Sequence, residues 1–171
     1  LDEVRSELRA QIERGRKAGL EIDYLDYHML TAVSTPELRT IVEELAREYG
    51  LGLATYFGER SASLWDVAPE KKLSRLLQIV GLLPPDRPNL LVMHLGIENP
   101  EMSALVDLNN AADPFRVAIH RQAELEALTS PAFRRAVSET GVRLVTYRDL
   151  IARHGLDAMV RPTRAGYSME D

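Results

Sequence analysis

The 171-residue sequence contains no cysteine. Disulfides, thiolate nucleophiles and cysteine-ligated zinc are therefore excluded. No run approaches the roughly 18 consecutive apolar residues of a membrane-spanning helix, and no signal peptide is visible. We therefore expect a cytoplasmic protein without a membrane partner.

Basic residues are fewer than acidic ones. The chain has 21 lysines and arginines against 26 acidic residues, a formal net charge of −5. This balance argues against non-specific binding to nucleic acid or to an anionic membrane. The apolar share of 45 % and the charged share of 27 % are ordinary for a globular protein. The length suits one domain with a substantial core.

Helix-patterned segments alternate with short apolar runs along the chain, which favours an α/β fold with a mostly parallel sheet. The pattern predicts a single α/β domain over residues 1–160 and a polar tail over 161–171. The predicted helices are 2–18, 36–49, 73–80, 100–108, one around Leu125 and one after Pro131. The predicted strands are 22–26, 51–57, 90–95 and 142–146, and residues 58–69 are predicted to form a loop.

Two of the predicted strands end in a histidine, His28 and His94. Ligands bind at the carboxyl edge of parallel sheets, so these are the main functional candidates. Asp26 precedes His28 by two positions, so on a strand both side chains point the same way. An acid beside an imidazole suits metal binding or acid–base chemistry. The alternatives are that Asp26 only orients a histidine or caps a loop, and that His94 is a buried neutral histidine.

Tyr56 and Trp65 lie in or beside the predicted loop, where an aromatic ring can stack on a sugar. Trp65, the sole tryptophan, equally fits a core plug under that loop. Arg121 follows a polar segment and could pair with an acid or a substrate hydroxyl, although a solvated helix surface is the commoner role. His120 and His154 fall in helix-patterned regions and are predicted to be surface residues.

The order of several segments resembles the YdjC-like (ChbG/HpnK) carbohydrate deacetylase family over about residues 5 to 151. Tyr24–His28 resembles the family's "HLDSH" strand end, and Val92–Gly96 resembles its "VHPG" segment. The other matching segments are Glu7–Glu13, Ala18–Leu20, Pro36–Leu38, Leu45–Leu51, Glu124–Ser130 and Gly141–Leu150.

The resemblance implies a distorted (β/α) barrel of the polysaccharide deacetylase type, of which this chain supplies part. It also implies metal-dependent removal of acetyl groups from N-acetylated sugars or oligosaccharides. His28 would bind a divalent metal, zinc or magnesium. Asp26, beside it, and His94 would be the catalytic residues, with His94 as the acid that protonates the leaving amine. Arg121 would orient the substrate or an acidic partner. Such a reaction needs a polarised carbonyl, an activated water and a proton for the amine.

The sequence departs from the family pattern in three places. The "ADDFG"-type strand with its metal-binding aspartate and the "GLHL"-type histidine have no counterpart, and Leu95 replaces the "VHPG" proline. Three protein ligands are usual for a catalytic zinc. We therefore expect either that an upstream part lies outside these residues or that the chain is an incomplete or inactive relative, which binds carbohydrate without catalysis or has a regulatory role. The hydrolase hypothesis requires that the side chains of Asp26, His28 and His94 face one shared cavity. Besides the substrate, a second copy of the chain in a homo-oligomer is the other candidate partner.

Overall fold

The computed structural model describes residues 1–110 and 113–162. The chain divides into two compact units. The first unit comprises Leu1–Glu59 and the described part of 144–166, and the second comprises the described part of Arg60–Arg143. No helix in the described ranges is long and apolar enough to cross a membrane. Most of the predicted polar tail, residues 163–171, lies outside the described residues.

The helices and strands follow one another in mixed α/β order. In chain order they are α1 (Asp2–Lys17), β1 (Tyr24–Leu25), α2 (Pro36–Tyr49), β2 (Gly52–Leu53), β3 (Arg60–Ser63), α3 (Lys72–Gly81), β4 (Asn89–Val92), α4 (Pro100–Ser103), α5 (Val117–Thr129), α6 (Pro131–Thr140) and α7 (Tyr147–His154). Three 3₁₀ segments, His28–Val33, Pro69–Lys71 and Leu156–Ala158, connect them.

In the first unit, β1 and β2 form a parallel pair, with Leu25 opposite Leu53. Helix α2 begins where the Thr35 side chain accepts the Leu38 N–H, and it ends at Gly50, whose φ of 64° is left-handed. Glycine adopts that conformation without strain, so it is a common helix stop. The buried face of α2 packs on both strands and on α1. The two strand ends that carry Asp26 and Thr55 therefore lie side by side.

In the second unit, β3 and β4 form a parallel pair, in register from Arg60 opposite Asn89 to Ser63 opposite Val92. Helix α3 connects the two strands and packs against α5 and α6. The core contains Ala62, Leu64, Leu76, Ile79 and Ala127. Because both strands run the same way, the residues that follow Ser63 and Val92 leave the sheet at one edge.

The predicted α/β class with parallel strands is confirmed, while the strands are shorter than the apolar runs suggested. The prediction that 58–69 form only a loop is wrong, because β3 lies within it. The predicted strand at 142–146 is also wrong: Leu144 is 80 % exposed and no neighbouring strand pairs with it in the described chain. The described strands form two separate pairs and no closed barrel.

Candidate active site

His94 and Trp65 meet at the edge where β3 and β4 end. Trp65 follows the buried residue Leu64, and His94 lies two residues beyond the end of β4. The two rings make an edge-to-face contact, with centroids 4.7 Å apart and planes at 67°. The structure thus brings together two of the residues that the sequence singled out.

A buried ion pair lies against both strand ends. The Nζ atom of Lys72, on α3, lies 2.6 Å from Oε1 of Glu124, on α5, and the two side chains are only 1 % and 2 % exposed. Lys72 also donates to the Leu64 carbonyl at 3.0 Å. The other carboxylate oxygen of Glu124 accepts the backbone N–H of His94 at 2.5 Å. Lys72 therefore binds the backbone just after β3, and its partner Glu124 binds the backbone just after β4.

A small pocket opens beside His94. The centre of a water-sized sphere can occupy about 20 Å³ of it, which is space for about one water molecule. The Nδ1 atoms of His94 and His120 are buried and have no hydrogen-bond partner among the described residues. The pocket is lined by Trp65, Lys72, His94, Asp107, Asn110, Asp113, Val117, His120, Arg121 and Glu124.

The environment of His94 favours its neutral form. Burial is the largest cause and lowers the pKa of the imidazole below its ordinary value. The cations Arg121 and Lys72 lower that pKa further, while Glu124 and Asp107 raise it. A neutral imidazole can take up a proton and pass it on, which is what general acid–base catalysis requires.

His120 is not the surface residue that the sequence predicted. It lies on a helix, as expected, but its side chain is only 13 % exposed, and its Nε2 lies 3.1 Å from Oδ2 of Asp113. Arg116 contacts the same carboxylate oxygen at 3.0 Å. The helical spacing of Val117, His120 and Glu124 is the signal that places His120 on the pocket side of α5. His154 is exposed, as predicted.

Arg121 lines the same pocket and fixes the chain after His94. The backbone N–H of Gly96 donates to the Arg121 carbonyl at 3.4 Å. A Cβ atom added at Gly96 would lie 3.1 Å from the Cβ of Arg121. Glycine therefore suits the close approach of the backbone to α5, because a Cβ atom here would crowd Arg121.

Asp26 and His28 lie in the first unit, on either side of the buried residue Tyr27. Both are exposed, as alternation along extended backbone predicts. Oδ1 of Asp26 accepts the Tyr27 N–H at 2.8 Å. The Tyr27 hydroxyl donates to the Ala54 carbonyl at 3.0 Å and lies 2.8 Å from Oγ1 of Thr55. The buried tyrosine thus anchors the segment that carries the candidate catalytic residue Asp26 and the candidate metal ligand His28.

Tyr56 is buried in the core of the first unit, with 4 % exposure. Its hydroxyl donates to Glu43 at 2.7 Å and accepts from Arg39 at 3.3 Å. Burial and the bond to Glu43 raise the pKa of the phenol to about 12. Both the ring and the hydroxyl are thus engaged within the unit, and a role for Tyr56 in substrate binding stays a prediction.

The model of the family described as YdjC-like protein matches residues 1–139 of the 171. This chain belongs to the YdjC-like family. The match includes Asp26, His28, Trp65, His94 and Arg121, while α7 lies beyond it. No curated protein sequence is similar enough to this chain to count as a match.

The described residues of this YdjC-like chain do not complete a metal site. Within 1–110 and 113–162, no three histidine or acidic side chains are arranged to hold a metal ion. His28, the predicted metal ligand, would supply one ligand, whereas three are usual for a catalytic zinc. His28 as a metal ligand, and a cavity shared by His28 and His94, stay predictions.

The buried Lys72–Glu124 pair, which holds the backbone of His94 in this YdjC-like chain, was not predicted from the sequence. Lys72 lies four, seven and eight positions before Leu76, Ile79 and Val80, so it is in phase with the buried stripe of α3. A lysine at such a position indicates a buried partner, because an unpaired buried charge is costly. Glu124 is that partner.

Proposed function

We propose that this chain is part of a hydrolase that removes acetyl groups from N-acetylated sugars or oligosaccharides. Membership of the YdjC-like family supports this class of reaction. The observation that carries it further is His94, whose buried Nδ1 has no partner among the described residues. The cysteine-free composition supports a cytoplasmic location.

In the proposed reaction, His94 transfers the proton. Hydrolysis joins a water oxygen to the acetyl carbon, breaks the carbon–nitrogen bond and gives a proton to the sugar nitrogen. A neutral imidazole suits both parts of this transfer, since it first accepts a proton and then donates it to the leaving amine. In this chain, His28 is the candidate ligand for a divalent metal, zinc or magnesium, that would polarise the acetyl carbonyl, and Asp26 beside it is a candidate catalytic residue.

The dimensions of the pocket limit which part of the substrate enters it. Its enclosed space suits a water molecule or the methyl end of an acetyl group, so the sugar ring would lie outside. There, Trp65 is the candidate for stacking on the ring and Arg121 for binding a hydroxyl or the acetyl oxygen. Aromatic rings with a few polar groups are typical of small-molecule sites.

The test is acetate release from N-acetyl-oligosaccharides by the full-length protein that contains this sequence, with and without added zinc or magnesium. His94→Gln should reduce kcat by at least about a hundredfold, a typical contribution of a proton-transfer group. His154→Gln, which changes an exposed histidine, is the matched control and should retain activity. Failure of the wild-type protein to release acetate with either metal contradicts the proposal.

The second candidate function is carbohydrate binding without catalysis, or a regulatory role. The lack of a three-ligand cluster among the described residues favours it. Calorimetry with N-acetyl-oligosaccharides separates the two candidates. Metal-independent sugar binding that Trp65→Ala weakens, without any acetate release, supports the non-catalytic candidate. Sugar binding together with metal-dependent acetate release excludes it.

A further inference from the structure

The backbone of His94 is held by a side chain instead of by the sheet. Strand β4 ends at Val92, so the His94 N–H lies beyond the ladder of β3 and β4. Its hydrogen bond goes to Oε2 of Glu124 at 2.5 Å. Glu124 is held in turn by Lys72 at 2.6 Å.

A buried ion pair is a weak source of net stability, because taking two charges out of water offsets most of their attraction. Hydrophobic side chains of similar volume would fill the same space. What such side chains cannot provide is an acceptor for the His94 N–H. Lys72 adds a second restraint, since it binds the Leu64 carbonyl, next to Trp65, at 3.0 Å. The pair thus restrains both of the rings that are in contact.

We propose that Glu124, held by Lys72, is a positioning residue for His94. Its carboxylate fixes the backbone of His94 beyond the end of β4, and this keeps the imidazole against Trp65 and at the pocket. The catalytic part of this inference rests on the proposed deacetylase function. The geometric part does not.

Two double variants differ in whether residue 124 offers an oxygen acceptor to the His94 N–H. Lys72→Met with Glu124→Gln keeps an amide oxygen near the His94 N–H, and Lys72→Met with Glu124→Met does not. Neither leaves a buried charge without a partner, and their side-chain volumes are similar. Leu76→Ala is the control, because it weakens the same core without removing either hydrogen bond.

The first measurement is by NMR. In the glutamine variant we expect wild-type exchange protection of the His94 amide and an NOE between the His94 and Trp65 rings. In the methionine variant, the protection of that one amide should fall at least about tenfold and the NOE should weaken. Leu76→Ala should instead lower protection throughout the second unit. Equal His94 protection and equal NOE intensity in the two double variants overturn the proposal.

The second measurement is kinetic. If His94 is mispositioned, kcat for acetate release should fall at least about tenfold in the methionine variant with KM within about twofold, and the glutamine variant should restore it. Equal kcat in two folded variants contradicts a positioning role. If the wild type releases no acetate, the proposed function fails while the NMR result still decides the geometry. If neither double variant folds, Glu124→Gln is compared with Glu124→Met, since both leave Lys72 without its anion and only the first keeps an acceptor, and equal His94 protection in the two overturns the proposal.

Discussion

Replacing Lys72 by methionine should destabilise the second unit strongly. Methionine preserves most of the aliphatic stem, so the change removes the charge and its hydrogen bonds while largely keeping the packing. The Glu124 carboxylate, 2 % exposed, would then lack its cation, and the Leu64 carbonyl would lose its donor. Removing one partner of a buried ion pair typically costs about 3–5 kcal/mol.

Replacing Glu124, alone and together with Lys72, tests whether that cost comes from the unpaired carboxylate. Glu124→Met alone should cost a similar amount, because it leaves Lys72 buried without its anion. The double variant buries no charge, but it leaves the Leu64 carbonyl and the His94 N–H without partners. Its cost should therefore be at least about 2 kcal/mol smaller than the sum of the two single costs.

Urea unfolding followed by Trp65 fluorescence measures these free energies, since the sole tryptophan lies in the second unit. Arg87→Met is the control. It breaks the exposed Arg87–Asp86 pair of the same unit and should cost less than about 1 kcal/mol. A cost below about 1 kcal/mol for Lys72→Met, or additive single costs, would refute the reasoning.

Three further predictions concern both units. Because burial lowers the pKa of His94 from 6.5, the unfolded chain takes up this proton first as the pH falls. Stability should therefore decline below about pH 6.5, and urea titrations at several pH values should show a weaker decline in His94→Gln. Tyr56→Phe, which removes a donor to Glu43, should cost about 1–3 kcal/mol in urea unfolding, and an ultraviolet titration should lose a phenol with a pKa of about 12. Thr146→Ala should cost about 1 kcal/mol in thermal unfolding of the first unit, because Thr146 caps α7, while Thr146→Ser should retain stability.

The helices of this chain could be predicted from local chemistry. The start of α2 is given by Thr35 and Pro36, which supply a capping oxygen and a fixed φ, and its end is given by Gly50. Helix α6 repeats the pattern, with a cap from Ser130 and a left-handed Gly141. These signals lie within a few residues of each helix end, so they do not depend on the rest of the fold.

The strands could not be predicted as well, because a strand requires a partner. Strand β3 has the sequence Arg-Ser-Ala-Ser, which has little β-propensity, and it is extended because it pairs with β4 along four residues. The apolar run at 142–146 has the opposite character. It has β-branched residues but no strand beside it in the described chain, and Thr146 instead begins α7 with a capping box. In both segments, the presence or absence of a neighbouring strand decided whether a strand formed, and the composition did not.

Only part of the candidate site could be predicted, because its contacts also depend on how the strands pair. His94 and Trp65 were found because strand ends and aromatic residues can be recognised in a sequence. Their contact could not be, since it depends on the register of β3 against β4. Glu124 lies 30 positions from His94, and no local pattern connects a carboxylate to a backbone N–H at that distance.

The charges around His94 explain why an ion pair, rather than a carboxylate alone, lies beneath it. A carboxylate that accepts the His94 N–H attracts a proton to the imidazole and raises its pKa. Arg121 and Lys72, the second of which is bound to the same carboxylate, act in the opposite direction, and burial remains the largest effect, so the pKa of the imidazole lies below its ordinary value. Glu124 can therefore hold the backbone of His94 without making the ring a permanent cation. A proton-transfer histidine needs both conditions, a fixed position and a proton affinity that allows it to accept as well as to donate.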